Sequence, residues 1–136
     1  MLTYYMYRYI IELIKKRKED ATLKRFEIWS VDFGKDVIGS EQGGVRPAVI
    51  IQNDTGNVHS DTTIVLPLTT KIKKIYQPTH TLIRKDVNNG LEDNSMVLGE
   101  CIRQVSKKRV RKYIGFISSD NDKSAIKNVY LANFGE

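Results

Sequence analysis

Phe26-Glu-Ile-Trp-Ser-Val-Asp-Phe33, a loop, and then Pro47-Ala-Val-Ile-Ile51 is the stretch that decides the fold. In the first run Phe26, Ile28, Ser30 and Asp32 alternate with Glu27, Trp29, Val31 and Phe33. That period of two predicts a strand with one apolar and one mixed face. The second run is short and continuously apolar, the pattern of a buried strand. Asn53-Asp-Thr-Gly-Asn57 after it reads as a turn. The loop from Gly34 to Val45 holds Gly39-Ser-Glu-Gln-Gly-Gly44, and its glycines let a loop close over a ligand and open again.

Downstream, Thr63 to Leu66, Thr79 to Ile83 and Ser95 to Leu98 read as further strands, with a turn at Asn88-Asn-Gly90. Ile102 to Val105 continues after a break at Gly99, and Tyr113 to Ile117 is the last strand. Ser106 to Arg111 reads as one helical turn of surface residues. A closing helix follows, capped by Ser119 or Asp120 and ended by Gly135. Ile126, Val129, Tyr130 and Asn133/Phe134 make its apolar stripe. Short strands at regular spacing with one closing helix predict a small β-barrel or a curled sheet.

Upstream, residues 2–19 place Tyr7, Ile10, Ile11 and Ile14 at helical spacing, with a Lys15–Lys18 cluster behind them. The expected organisation is therefore an amphipathic basic helix and linker over 1–24, followed by one domain over 25–136. The helix reads either as a basic arm for a polyanion or a membrane surface, or as a docking or dimer-packing element.

The chain has 136 residues, enough for one domain with its own core. A hydrophobic content of 40% with 28% charged residues excludes a disordered tail or a collagen-like fibre. The net charge of +6 raises the expectation of a polyanionic partner. Half of it lies in residues 1–24, with six cations against three acids. A single cysteine, Cys101, fits a reducing compartment. No apolar run reaches the ~18–20 residues a membrane span needs. The basic cluster also follows the N-terminal apolar stretch, the wrong order for a secretory signal. A cytoplasmic protein that does not engage membranes is expected.

No phosphate-binding glycine loop, dinucleotide fingerprint or paired cysteines occur, and His59 and His80 have no partner at metal-ligand spacing. Neither cofactor nor metal is expected. Arg46 opens a buried strand behind Gly43 and Gly44, where a planar guanidinium can grip a phosphate. A glycine hairpin with a surface arginine is the plainer reading of the same residues. Thr69 at the end of the third strand, beside Lys71, Lys73 and Lys74, suits a phosphodiester, or the run is a polar loop with solvated charges. Glu100-Cys-Ile-Arg103 adds an acid and a cation at another strand end. His80 titrates near neutral pH and is a candidate acid or base, or a histidine packed on a strand.

The order of these features resembles the MazF/PemK family of toxin endoribonucleases. The resemblance runs from about Arg25 to the C-terminus. It is strongest in Glu27 to Phe33, in Gly39-Ser-Glu-Gln-Gly-Gly-Val-Arg-Pro-Ala-Val-Ile-Ile-Gln-Asn-Asp54, in Thr69, in Pro78-Thr-His80 and in Glu100-Cys-Ile-Arg103. It implies a mainly β fold with helices, a small SH3-like barrel of the MazF/PemK/CcdB type. It implies a homodimer that cleaves single-stranded mRNA at a short sequence without metal, and an antitoxin protein that neutralises it. By the resemblance Arg46 and Thr69 carry catalysis. Ser40, Glu41, Gly43, Gly44, Asn53, Lys71, Glu100, Cys101 and Arg103 are the expected RNA-binding residues. Relatives often have glutamine where this chain has Cys101, so the cut site does not transfer. A gyrase-binding poison and an inactive RNA- or antitoxin-binding module are the alternatives on the same barrel.

Overall fold

The structure is a computed structural model that describes residues 3–11, 22–39 and 41–135. Residues 4–11 are helical (α1). The barrel then runs β1 (Glu27–Asp32), β2 (Val45–Ile50), α2 (Asp54–His59), β3 (Thr62–Thr69), β4 (His80–Ile83), β5 (Ser95–Leu98), β6 (Arg103–Ser106), β7 (Val110–Phe116) and α3 (Asp120–Leu131). Single 3-10 turns stand before β6 (Gly99–Cys101) and before β7 (Lys107–Arg109).

All the strand pairings are antiparallel, in the order β4-β5-β3-β2-β1-β7. β3 is the hinge of the sheet. Its N-terminal half pairs with β6 (Thr62↔Ser106 to Val65↔Arg103) and its C-terminal end with β5 (Leu68↔Val97, Thr69↔Met96). β5 and β6 are thus one bent strand, broken where the sequence has Gly99.

The period of two sorts the apolar side chains into two cores. Ile28, Val49, Leu66, Leu68 and Val97 point to one face, where Ile126 and Val129 of α3 cover them. Trp29, Val31, Ala48, Ile50 and Val65 point to the other and pack with Val105, Phe33 and Leu23. β1 and β2 serve both cores, which is why β2 reads as a continuous apolar run. Glu27 is buried on the second face, and its carboxylate accepts from the Trp29 indole N–H (3.3 Å) and the Lys24 backbone N–H (2.9 Å).

Several expectations are corrected. Asn53 to Asn57 is not a turn but the start of α2, with the Asn53 side chain accepting from Gly56 N as N-cap. β3 runs from Thr62 to Thr69 because its end residues pair with Ser106 and Met96, and β7 starts at Val110, which pairs with Val31 across a register shift. The stripe of α3 is narrower than its spacing suggests: Ile126 and Val129 are buried, whereas Phe134 is 90% exposed beyond the helix end. Ser119 caps α3 by accepting from Asp122 N. Leu23 belongs to the second core, so the packed barrel begins just before residue 25. α1 forms, but Tyr7, Ile10 and Ile11 stay exposed; Ile14 and Lys15–Lys18 lie outside the described residues.

Candidate active site

Register brings the central pair together. β2 and β3 pair as Ala48↔Pro67. Two residues back along β2 is Arg46, and two residues on along β3 is Thr69. The period of two therefore puts both on the same face as Ala48 and Pro67, although the β2–β3 ladder itself ends at that pair. Thr69 in turn pairs with Met96, and Leu98 with His80. The same alternation puts Arg46, Thr69, Met96, Leu98 and His80 on the face of the second core. Beyond Ala48 and Val65 that face opens into a cavity of about 620 Å³, lined by Arg46, Thr69, His80, Lys71, Lys73 and Lys74 among others.

The loop before β2 holds the guanidinium. Arg46 Nε donates to the Gly43 carbonyl (3.1 Å), and Nη1 donates to the Gln42 side-chain oxygen. Nη2 has no partner among the described residues, so one edge of the fork faces the cavity. Gly44 has φ +74°, a region that favours glycine, and its N–H donates to the Gly34 carbonyl (2.8 Å) to close the loop neck. Gly43 packs against Val37. The two glycines thus shape the loop that grips Arg46. Thr69 Oγ1 accepts from Lys71 N (3.1 Å), which leaves its O–H free to donate.

His80 has both ring nitrogens occupied. Nδ1 lies 2.9 Å from the Lys74 carbonyl and Nε2 lies 2.7 Å from Glu100 Oε1. Both partners accept, so the arrangement favours the imidazolium, the form in which both nitrogens donate. Burial pulls its pKa down, but the hydrogen bonds to Glu100 and to the Lys74 carbonyl outweigh burial and hold it above the ordinary 6.5. For Glu100 burial pushes up, and the bond from His80 helps bring the carboxyl below its usual 4.5. This clasp ties the lysine loop before β4 to the turn at Glu100.

That turn is seated by α3. Asn133 Nδ2 donates to the Gly99 carbonyl (2.6 Å), and a Cβ at Gly99 would stand 2.7 Å from the Thr79 and Val129 carbonyl oxygens. Only glycine allows that approach. Glu100, Cys101 and Arg103 then line a second cavity of about 620 Å³, joined to the first through Glu41 and Gln42. Burial and the Glu100 charge raise the Cys101 thiol pKa, with Arg46 pulling the other way, so Cys101 stays protonated. Arg103 Nη1 donates to the Phe33 carbonyl (3.1 Å), and its guanidinium stands 5.6 Å over the Phe33 ring.

Of the expected site residues, Arg46, Thr69, His80, Lys71, Glu41, Glu100, Cys101 and Arg103 line these two joined cavities. Asn53 does not: it caps α2 beyond the far end of β2, on the order of 20 Å along the chain from Arg46 at ~3.3 Å per residue. Ser40 lies outside the described residues. Lys73 and Lys74, read from sequence as part of the lysine run after Thr69, line the first cavity too; Gln42 is an addition, and its only sequence signal was its place in the glycine string. Among the described residues no three His, Cys, Asp or Glu side chains cluster to hold a metal, and no helix is long and apolar enough to cross a membrane.

A small curled barrel that places an arginine and a hydroxyl in one lysine-rimmed groove offers a surface suited to a polyanion. Residues 24–129 match the family of PemK-like, MazF-like toxins of type II toxin-antitoxin systems, and the chain belongs to that family. α1 precedes the matched segment. Solved structures share the fold. MazF from Deinococcus radiodurans superposes with a TM-score of 0.71 at 18% identity, covering 86% of this chain and all (100%) of that one. An endoribonuclease from a mycobacterial species in complex with its cognate antitoxin gives 0.67 at 19% identity, covering 83% and 95%. The Mycobacterium tuberculosis toxin MazF-mt6 gives 0.63 at 18% identity, covering 79% and 95%.

Proposed function

We propose that the groove cleaves single-stranded RNA as a metal-independent toxin endoribonuclease. The observation that carries this reading is that Arg46 of β2 and Thr69 of β3 line one cavity together with Lys71, Lys73 and Lys74. RNA brings its own nucleophile, the 2′-OH next to each phosphate. The 2′-oxygen gives up its proton to water and bonds to phosphorus, the bond to the 5′-oxygen breaks, and that oxygen takes a proton from water, so a 2′,3′-cyclic phosphate and a 5′-OH remain. The protein supplies orientation and charge compensation. The free edge of Arg46 faces the non-bridging oxygens, where negative charge grows at phosphorus. Thr69 donates its hydroxyl hydrogen to one of the same oxygens. The lysines hold the flanking backbone.

His80 takes a positioning role. Both of its nitrogens are spent on Lys74 and Glu100, so it orients the lysine loop and the Glu100 turn instead of moving a substrate proton. Glu41, Glu100 and Cys101 face the path on which bases flank the cut phosphate. A carboxylate repels phosphate and accepts from base N–H groups, so the acids belong to base reading. Cys101 offers a weak S–H donor where a glutamine amide would offer both donor and acceptor.

The barrel carries this activity and residues 1–24 are an appended basic segment. The working unit is a cytoplasmic homodimer silenced by an antitoxin protein. The family membership and the fold shared with an endoribonuclease bound to its cognate antitoxin support this reading. The test is to incubate the protein, its Arg46→Ala form and its Thr69→Val form with a long single-stranded RNA and with the matching DNA. RNA fragments from the parent alone, with the DNA intact, are expected. Equal cutting by the Arg46→Ala form removes the site assignment.

A further inference from the structure

Away from the groove, a cavity of about 350 Å³ lies between Phe26 and α3, and none of its lining residues lines the groove. Ile51, Ile126 and Leu131 make its interior apolar. Every charged residue that lines it is a cation: Arg25, Lys123 and Lys127. The Arg25 guanidinium stands 5.3 Å and the Lys123 ammonium 5.6 Å from the centre of the Phe26 ring. None of the three cations forms a salt bridge among the described residues. Asp54, whose carboxylate accepts from the Arg25 backbone N–H, is outside the lining. Phe26 itself is fixed at φ +72°, with its N–H on the Ile50 carbonyl and its carbonyl receiving Ile117 N–H. The Phe26 backbone at the base of the slot is therefore pinned on both sides.

We propose that this slot docks an acidic peptide segment, which inserts a branched apolar side chain and sets carboxylates against Arg25, Lys123 and Lys127. An apolar centre inside a charged rim of one sign is the arrangement that anchors a peptide and selects its charge. The aliphatic interior favours methyl groups over a flat base, and two cations already stand over the Phe26 ring. A nucleic acid therefore suits the slot less well than a peptide. The proposal is independent of the nuclease reading, since the slot and the groove share no residue.

The test is fluorescence anisotropy with the full chain and a fluorescein-labelled Glu-Asp-Leu-Leu-Asp-Glu peptide, against a counterpart with lysine in place of each acid. Saturable binding of the acidic peptide alone is expected. Lys123→Glu with Lys127→Glu should weaken it roughly tenfold or more, the equivalent of ~1.4 kcal/mol. Leu131→Ser, at a half-exposed position that folding tolerates, should weaken it as well. Both variants should bind a single-stranded RNA as the parent does. The proposal is overturned if neither peptide binds, if both bind equally, or if RNA displaces the acidic peptide. It is equally overturned if light scattering shows Leu131→Ser converting a dimer to a monomer, because a second copy then fills the slot.

Discussion

At the scale of single residues, the role proposed for Arg46 is to have its charge in place before negative charge develops at phosphorus. Removing one such preorganised donor typically costs ~100–1000-fold in rate. Arg46→Ala is therefore expected to lose about that factor in single-turnover RNA cleavage, with unchanged circular dichroism. Thr69→Val should lose activity while Thr70→Val, whose residue follows the strand end and is exposed, should keep most of it. The His80–Glu100 clasp gives a pH signature. His80 has its pKa raised on folding, so its contribution is complete below about 6.5 and fades as pH rises through the folded value. Glu100 has its pKa lowered, so its contribution is present above about 4.5 and fades as pH falls through the folded value. The clasp is strongest between those limits. Melting temperature compared between the parent and His80→Gln across that range should show the largest gap inside the window. A gap independent of pH would contradict the imidazolium assignment. The strand-end positions of Arg46 and Thr69 were legible in sequence from the apolar runs beside them, whereas the roles expected of them came from the family resemblance. Gln42 was not legible, since a neutral side chain in a glycine loop carries no pattern, and its use appears only when the loop folds back on Arg46.

At the scale of elements, α2 shows where sequence reading stops. Six residues with a central Gly56 carry no apolar stripe, and Asn-Asp-Thr-Gly is also strong turn chemistry. The helix exists because Asn53 caps it and because Asn57, fully buried, accepts from Gln52 and from Thr63 of β3. Asn53→Ala should accordingly cost about 1 kcal/mol of stability, read from denaturant melts. It should leave RNA affinity unchanged; a large drop in affinity at constant stability would return Asn53 to the binding surface. Gly99→Ala should do the opposite kind of damage. Its Cβ collides with two backbone carbonyls, so the Glu100 turn must move, and base preference should change along with stability. Mapping cut sites on one RNA checks this. Removing residues 1–21 keeps Leu23 in the core and takes away the Lys15–Lys18 cluster. Cut sites should be preserved, while the salt dependence of RNA binding flattens by roughly one unit of slope or slightly less for each phosphate that the cluster neutralised.

At the scale of the whole molecule, the sheet separates two jobs. One face is closed by α3 and makes the larger core, and the other turns from core to groove along the same strands. The barrel could be read from strand spacing, since every predicted strand is present. The division of β1 and β2 between two cores could not, because alternation says which residues share a face and not what covers it. A two-fold dimer is the expected assembly. If the antitoxin lies in the groove, saturating antitoxin should displace a non-cleavable RNA, and tight binding of both together would refute a shared site. In the proposed reaction Arg46 and Thr69 assist the RNA's own 2′-OH in attacking its neighbouring phosphate. The most direct measurement is the chemistry of the cut ends after incubation with single-stranded RNA in excess EDTA. Fragments ending in a 2′,3′-cyclic phosphate, each followed by a fragment with a 5′-OH, are the predicted result. Fragments with a 5′-phosphate, or no cutting until a divalent ion is restored, would contradict it.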